Sequence, residues 1–127
     1  MDIKRYTKSD EQALFNMMRR QEKEWSCYYD ESSIEKYKAA LHSSITYTAF
    51  CGDKLCGYVR CRDDSGFGIY VYDLLVDEKY RGNEYGKKML NRVCIDYPED
   101  TVYVMSDADG YYKKQGYKRE GSIFIVN

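Results

Sequence analysis

The sequence predicts one α/β domain with a mixed sheet, in the element order β-αα-βββ-α-β-α-ββ. Three observations point to it. Stretches rich in Thr, Tyr, Phe, Val and Ile alternate with segments of helical period, and tight turns join the middle strands. No linker, repeat or low-complexity segment divides residues 1–127, a length sufficient for one core without disulfide staples.

Each element has its own signal. Ile3–Tyr6 reads as the first strand. Ser9-Asp10 caps a helix whose Leu14, Met17 and Met18 are apolar, with Gln21–Glu24 expected in water. Trp25-Ser26-Cys27-Tyr28-Tyr29 breaks that period, and Ser32 or Ser33 restarts a helix with Ile34, Tyr37 and Leu41 on one face. Ile45–Cys51, the turn Gly52-Asp53-Lys54 and Leu55–Arg62 make a hairpin, and Asp63-Asp64-Ser65-Gly66 leads into the strand Phe67–Val76. After Arg81-Gly82 a helix aligns Tyr85, Met89, Leu90 and Val93, and Pro98 prevents its continuation. Thr101–Met105 is a strand, and Asp107 starts a short helix over Ala108–Lys114 that Gly116 closes. Tyr117–Arg119 and Ser122–Val126 read as edge or hairpin strands.

Composition narrows the function. A net charge of -1 and the lack of a long basic block argue against nucleic acid as a partner. No run approaches bilayer length, and Met1-Asp2-Ile3-Lys4 lacks the apolar stretch of a signal peptide, so a soluble, cytoplasmic protein is expected, with no membrane partner. The five cysteines, Cys27, Cys51, Cys56, Cys61 and Cys94, form neither a disulfide framework nor a compact metal-ligand spacing, so no metal is expected. With His42 the single histidine, a Cys-His hydrolase is disfavoured.

The strongest chemical signal lies between Gly68 and Leu90. An apolar strand ending at Val76 meets the turn Asp77-Glu78-Lys79-Tyr80, and Arg81-Gly82-Asn83-Glu84-Tyr85-Gly86 opens the helix beginning Lys87-Lys88. Unpaired N–H groups and the helix dipole favour an anion there, with Arg81 and Lys87 adding charge. A phosphate-bearing ligand is the first expectation. The stretch is neither a dinucleotide fingerprint nor a Walker A loop. Downstream, Gly110-Tyr111-Tyr112-Lys113-Lys114-Gln115-Gly116-Tyr117 places two phenols on a short helix that stops at a glycine.

Together these segments resemble the GCN5-related N-acetyltransferase (GNAT) superfamily, over nearly the whole chain in element order. Arg81 and Gly86 match the ends of its Arg/Gln-x-x-Gly-x-Gly/Ala pattern, and Tyr80 and Gly82 match its frequent flanking residues. Tyr112 matches the second aromatic of its Phe-Tyr-x-x-x-Gly-Phe segment, with Ala108 and Gly116-Tyr117 also in place. Two positions depart: Glu84 stands at the middle glycine, and Met105 where many members have asparagine. The resemblance implies a mostly antiparallel sheet with helices on both faces, and an acetyltransferase using acetyl-coenzyme A.

It also implies roles. Arg81, Gly82, Asn83, Glu84, Tyr85, Gly86 and Lys87 would hold the pyrophosphate, backbone amides around Leu75 and Val76 would bind pantetheine, and Tyr112 would contact the cofactor and protonate the leaving thiolate. Tyr111, one residue earlier, is expected to pack inward, though the register between the two stays open. Asp73 interrupts an apolar strand and is the candidate base for the amine; the alternative is a half-exposed face or a hydrogen-bond partner for a neighbouring tyrosine. The acceptor position that the resemblance implies falls on Trp25, Tyr28, Tyr29, Asp30 and Glu31, with Asp73 and with Asp63, Asp64 and the Phe124 end beside them; these suit a cationic amine, or else Trp25–Glu31 is an ordinary helix connection. A small-molecule amine is favoured over a protein acceptor, attacked directly in a ternary complex. A catalytically weak module that binds or senses acetyl-coenzyme A is the alternative that Glu84 supports. Ser122–Val126 could pair a homodimer across a two-fold axis or be protected.

Overall fold

The computed structural model describes residues 1–21 and 23–127; the expectation for Glu22 lies outside the described residues. Among the described residues ten strands and α-helices follow one another: β1 (Asp2–Arg5), α1 (Glu11–Arg20), α2 (Ser26–Tyr29), α3 (Ile34–Ser43), β2 (Ile45–Cys51), β3 (Lys54–Asp63), β4 (Ile69–Val76), α4 (Tyr85–Asp96), β5 (Val102–Val104) and α5 (Asp109–Lys114). Five strands form one sheet in the order β1-β2-β3-β4-β5, antiparallel except for the β4–β5 pair. Among the described residues no helix is long and apolar enough to cross a membrane.

Alternation in the strands builds two cores. Tyr47, Ala49, Val59, Cys61, Ile69 and Val71 pack against Met89, Leu90 and Val93 of α4. On the other face Leu55, Tyr58 and Leu75 meet Leu14, Phe15, Met17 and Met18 of α1 and Tyr37 and Leu41 of α3. Helices therefore cover both faces of a mixed, mostly antiparallel sheet, as the resemblance implies.

The structure corrects several boundaries. No strand forms after β5: residues 117–127 carry no regular structure, and Ile123, Phe124, Ile125 and Val126 are exposed, so the strands expected at Tyr117–Arg119 and Ser122–Val126 are absent. The outer edge of β5 stays free, and the tail lies across an opening from it without pairing, so β propensity alone does not make a strand here. Phe67 lies in the turn before β4, 82 % exposed. Gln21, expected in water, is buried; its amide donates to the Met17 carbonyl at 3.0 Å and its oxygen accepts from the Glu78 N–H at 3.3 Å. A buried amide is stable here because backbone groups satisfy it.

One irregularity positions the site. Arg60 pairs with Asp73 but Cys61 pairs with Val71, so Tyr72 is an extra residue, a β-bulge. The bulge swaps the edge to which backbone groups point. Up to Val71 the odd residues bond β5, with the Met105 N–H donating to the Val71 carbonyl. Beyond it the odd residues bond β3, with the Asp77 N–H donating to the Cys56 carbonyl. Leu74 and Val76 consequently present their backbone to the side from which β5 has departed.

A buried ion pair sits beside the bulge. Arg60 Nε donates to Asp73 Oδ2 at 2.6 Å, with side chains 12 % and 2 % exposed. Tyr37 donates to the same oxygen at 2.6 Å, Tyr28 to Oδ1 at 2.8 Å, and Tyr37 and Tyr58 hydroxyls lie 2.7 Å apart. The Arg60 guanidinium also lies over the rings of Tyr37 and Tyr72. Removing one partner strands a buried charge. Arg60→Ala is expected to destabilise the fold by about 3–5 kcal/mol, read as a lower urea midpoint.

Candidate active site

β4 ends at Val76, and Asp77 starts a single 3-10 turn, Glu78–Tyr80, by accepting from the Lys79 N–H at 3.2 Å. Asp77 is buried, and Arg20 of α1 donates to its other oxygen at 2.7 Å. Arg81 folds back over the strand end: Nε donates to the Val76 carbonyl at 3.1 Å, and a terminal nitrogen reaches the Gln21 oxygen at 3.5 Å. Asn83 donates to the Tyr80 carbonyl at 3.0 Å. Arg20, Gln21 and Asp77, which sequence reading missed, thus tether this loop to α1. No local pattern announces a contact 57 residues apart.

The chain turns into α4 through two left-handed residues, Gly82 (φ +86°) and Glu84 (φ +60°). Glycine adopts this region freely; a residue with a Cβ does so at a cost of about 1–2 kcal/mol. That explains why glycine suits position 84 and why glutamate there is strained. Its carboxylate is exposed and makes no capping bond. The Lys88 N–H to Glu84 carbonyl bond, 3.0 Å, is the first of the helix, leaving the N–H groups of Tyr85, Gly86 and Lys87 without helical acceptors. Tyr85 stacks on Tyr80 (6.3 Å between centroids), and the Lys88 ammonium lies 5.5 Å from the Tyr85 ring centre. With Arg81 and Lys87 nearby, this helix end is suited to an anion.

The expected residues divide. Arg81, Gly82, Asn83, Glu84, Tyr85, Gly86 and Lys87 form one continuous loop and helix start. Val76 lies on the open edge, but Leu75 does not: its register partner is Tyr58, and its side chain is in the α1–α3 core. Leu74 takes the place expected of Leu75, because the bulge shifts the alternation by one residue.

The two tyrosines exchange places relative to expectation. A Cβ on Gly86 would come within 2.5 Å of Tyr111 Oη and 3.6 Å of Leu74 Cδ2, so the Tyr111 hydroxyl stands at the mouth between α4 and β4. Tyr112 instead packs against the α4 core. Helix α5 begins at Asp109, with Ala108 still non-helical (φ -140°, ψ 60°). A one-residue difference in phase turns a side chain by about 100°. Burial pushes the Tyr112 phenol up to about 12, with a smaller contribution from Tyr111. Burial, then the charge of Glu84, raises Tyr111 above its ordinary value. Both phenols stay protonated at neutral pH.

Asp73 is 3 % exposed, and both its oxygens are engaged as described, so the tyrosine-partner alternative describes its surroundings. Trp25 and Tyr28 pack beside Tyr58 and Tyr37, Arg19 covers Tyr29, and Asp30 accepts from Ser32 at 2.9 Å at the exposed start of α3. Two openings flank β5. One, about 360 Å³, is lined by Arg62, Asp63, Asp64, Tyr70, Tyr72 and Met105, next to the bulge. The other, about 890 Å³, lies among Leu90, Cys94, Tyr112, Tyr117 and Ile123 and includes no residue of the 81–87 loop.

The family description "Acetyltransferase (GNAT) family" matches residues 11–117, most of the chain. The chain belongs to that family. Solved structures of similar fold include a GNAT family acetyltransferase from Streptococcus pneumoniae TIGR4, 20% identical, with 98% of this chain and 97% of that chain covered and a TM-score of 0.68. PaiA N-acetyltransferase from Thermoplasma acidophilum, in complex with coenzyme A, is 18% identical over 94% of this chain and 90% of that chain, TM-score 0.69. An aminoglycoside 6'-N-acetyltransferase complexed with coenzyme A is 19% identical over 91% and 73%, TM-score 0.67.

Two outcomes follow from the loop of this GNAT protein. Glu84→Gly is expected to raise stability by about 1 kcal/mol by relieving the left-handed strain, seen as a higher Tm. Burial works against the Asp77 carboxylate, but the Arg20 hydrogen bond and the Lys79 N–H outweigh it and hold its pKa below the ordinary value. A folded pKa below the unfolded one stabilises above the ordinary carboxylate range and is lost as pH falls through the folded value. The stability gap between the native protein and Arg20→Ala should therefore be full at about pH 6 and close towards about pH 2, read by urea unfolding across that range.

Proposed function

We propose that this protein transfers the acetyl group of acetyl-coenzyme A to a primary amine of a small cationic molecule, by direct attack in a ternary complex. The observation that carries the reading is the open edge of β4, which runs from the bulge at Tyr72 into the free N–H groups of α4. Pyrophosphate would lie on Gly82–Lys87 with Arg81 beside it. Pantetheine would follow the Leu74 and Val76 backbone, as an added strand does. The solved relatives that carry coenzyme A lend support through their shared fold.

The acceptor would enter from the opposite face, through the opening lined by Tyr70, Tyr72, Asp63 and Asp64. Carboxylates and phenol rings attract an ammonium ion by charge and by cation–π contact. An alkylamine has a pKa near 10 and must lose a proton before attack, directly to a carboxylate or through water. The exposed Asp63 and Asp64 are better placed for that than Asp73, whose engagement with Arg60, Tyr28 and Tyr37 supports a positioning role. Tyr111, at the mouth of the channel, is the phenol suited to protonate the departing thiolate, in place of Tyr112.

Glu84 favours a second reading, a module that binds acetyl-coenzyme A without turnover, because its carboxylate stands at the anion end of α4. Coenzyme A release with a panel of small amines, beside calorimetric cofactor binding, separates the two: turnover with at least one amine supports the enzyme, and binding alone supports the module. Tyr111→Phe is expected to lower kcat about 100-fold or more with cofactor affinity retained, and Tyr112→Phe to act mainly on stability. The reverse order would return the proton to Tyr112.

A further inference from the structure

The hairpin between β2 and β3 brings two thiols together. Cys51 Sγ lies 3.3 Å from Cys56 Sγ. The pairing explains the approach: Ala49 pairs with Gly57 but Phe50 pairs with Leu55, so Cys56 is the extra residue of a second bulge. Cys51 is half-buried and Cys56 fully buried. Cys51 Sγ also lies 3.5 Å from Tyr85 Oη. Tyr85 is the first residue of α4, stacked on Tyr80 and beneath Lys88. Cys51 thus touches the first side chain of α4, next to the anion loop.

We propose that Cys51 and Cys56 form a redox-responsive dithiol: a hydroperoxide converts them to an intramolecular disulfide, and the change weakens coenzyme A binding through Tyr85. The second half rests on the cofactor reading above. Cys51, the member nearer solvent, attacks the peroxide oxygen, becoming a sulfenic acid as the alcohol leaves. The Cys56 sulfur then attacks the Cys51 sulfur, the S–S bond forms, and the hydroxyl departs with the Cys56 proton as water. Two thiols and one hydroperoxide give one disulfide, one alcohol and one water, and two electrons pass from sulfur to peroxide. Burial, reinforced by Cys51, holds the Cys56 thiol up at about 12, consistent with a resolving rather than an attacking role. Bond formation needs the sulfurs to close by about 1.3 Å, to about 2.05 Å. Oxidation also removes the Cys51 S–H, so the Tyr85 hydroxyl loses that donor.

Tryptic mapping of the full chain after hydrogen peroxide tests this directly. Lys54 separates Cys51 from Cys56, and Arg60 separates Cys56 from Cys61, so each thiol falls in its own peptide. The expected result is a loss of two hydrogens in mass, with Ala39–Lys54 linked to Leu55–Arg60. Coenzyme A binding should weaken several-fold and recover with dithiothreitol, and Cys51→Ser should abolish both effects. Oxidation confined to Cys27 or Cys94, or stopping at a sulfinic acid on Cys51, would overturn the dithiol. A disulfide with unchanged coenzyme A affinity would overturn the link through Tyr85. A disulfide in a protein that binds no coenzyme A in either state would overturn the cofactor reading and leave the dithiol standing.

Discussion

Arg60 and Asp73 meet across β3 and β4 where Tyr72 drops out of register, and that contact fixes which way the end of β4 faces. Without the extra residue, Leu74 and Val76 would bond β3, and the edge beyond Val71 would carry Leu75 instead. With it, the strand keeps its pairing to β3 while turning a different set of amides outward. Tyr28 and Tyr37 donate to the carboxylate and Tyr58 pairs with the Tyr37 hydroxyl, so a group costly to bury becomes a fixed point. An apolar residue at 73 could fill the space but could not bind the guanidinium and two phenols that hold the bulge.

The loop beyond β4 is held from one side and strained on the other. Arg20, Gln21 and Asp77 anchor its start to α1, so the position of the anion end depends on the helix layer beneath the sheet. Glu84 then forces a side chain into a left-handed turn at the threshold of α4. Backbone strain of this kind persists where surrounding contacts over-determine it, often at ligand sites. The bonds at Asp77, Arg81 and Asn83 supply such contacts.

Much of this was legible in the sequence, for physical reasons. Turn residues and periodicity located every strand from Asp2 to Val104 within a few residues, and the glycine-containing approach to α4 marked the anion end. Long-range pairing was not legible: nothing local in Arg20 or Gln21 signals Asp77, Glu78 or Arg81. The bulge left a trace, since Asp73 breaks an apolar run, but the resemblance pointed to the amides around Leu75 and Val76 without locating the bulge that turns Leu75 towards β3. The choice of Tyr112 rests on its match to the family segment, which does not say which way α5 faces, and the neighbouring phenol lies about 100° away on that helix. The apolar tail Ser122–Val126 has strand composition yet does not pair with the free edge of β5, and composition cannot report that.

Backbone amide NMR during a coenzyme A titration addresses the open-edge claim most directly. The largest shifts are expected at the N–H groups of Leu74, Val76, Tyr85, Gly86 and Lys87, with Leu75 nearly still because its amide is bonded to β3. Shifts centred on Leu90, Cys94 and Tyr112, or none at saturating coenzyme A, would contradict it.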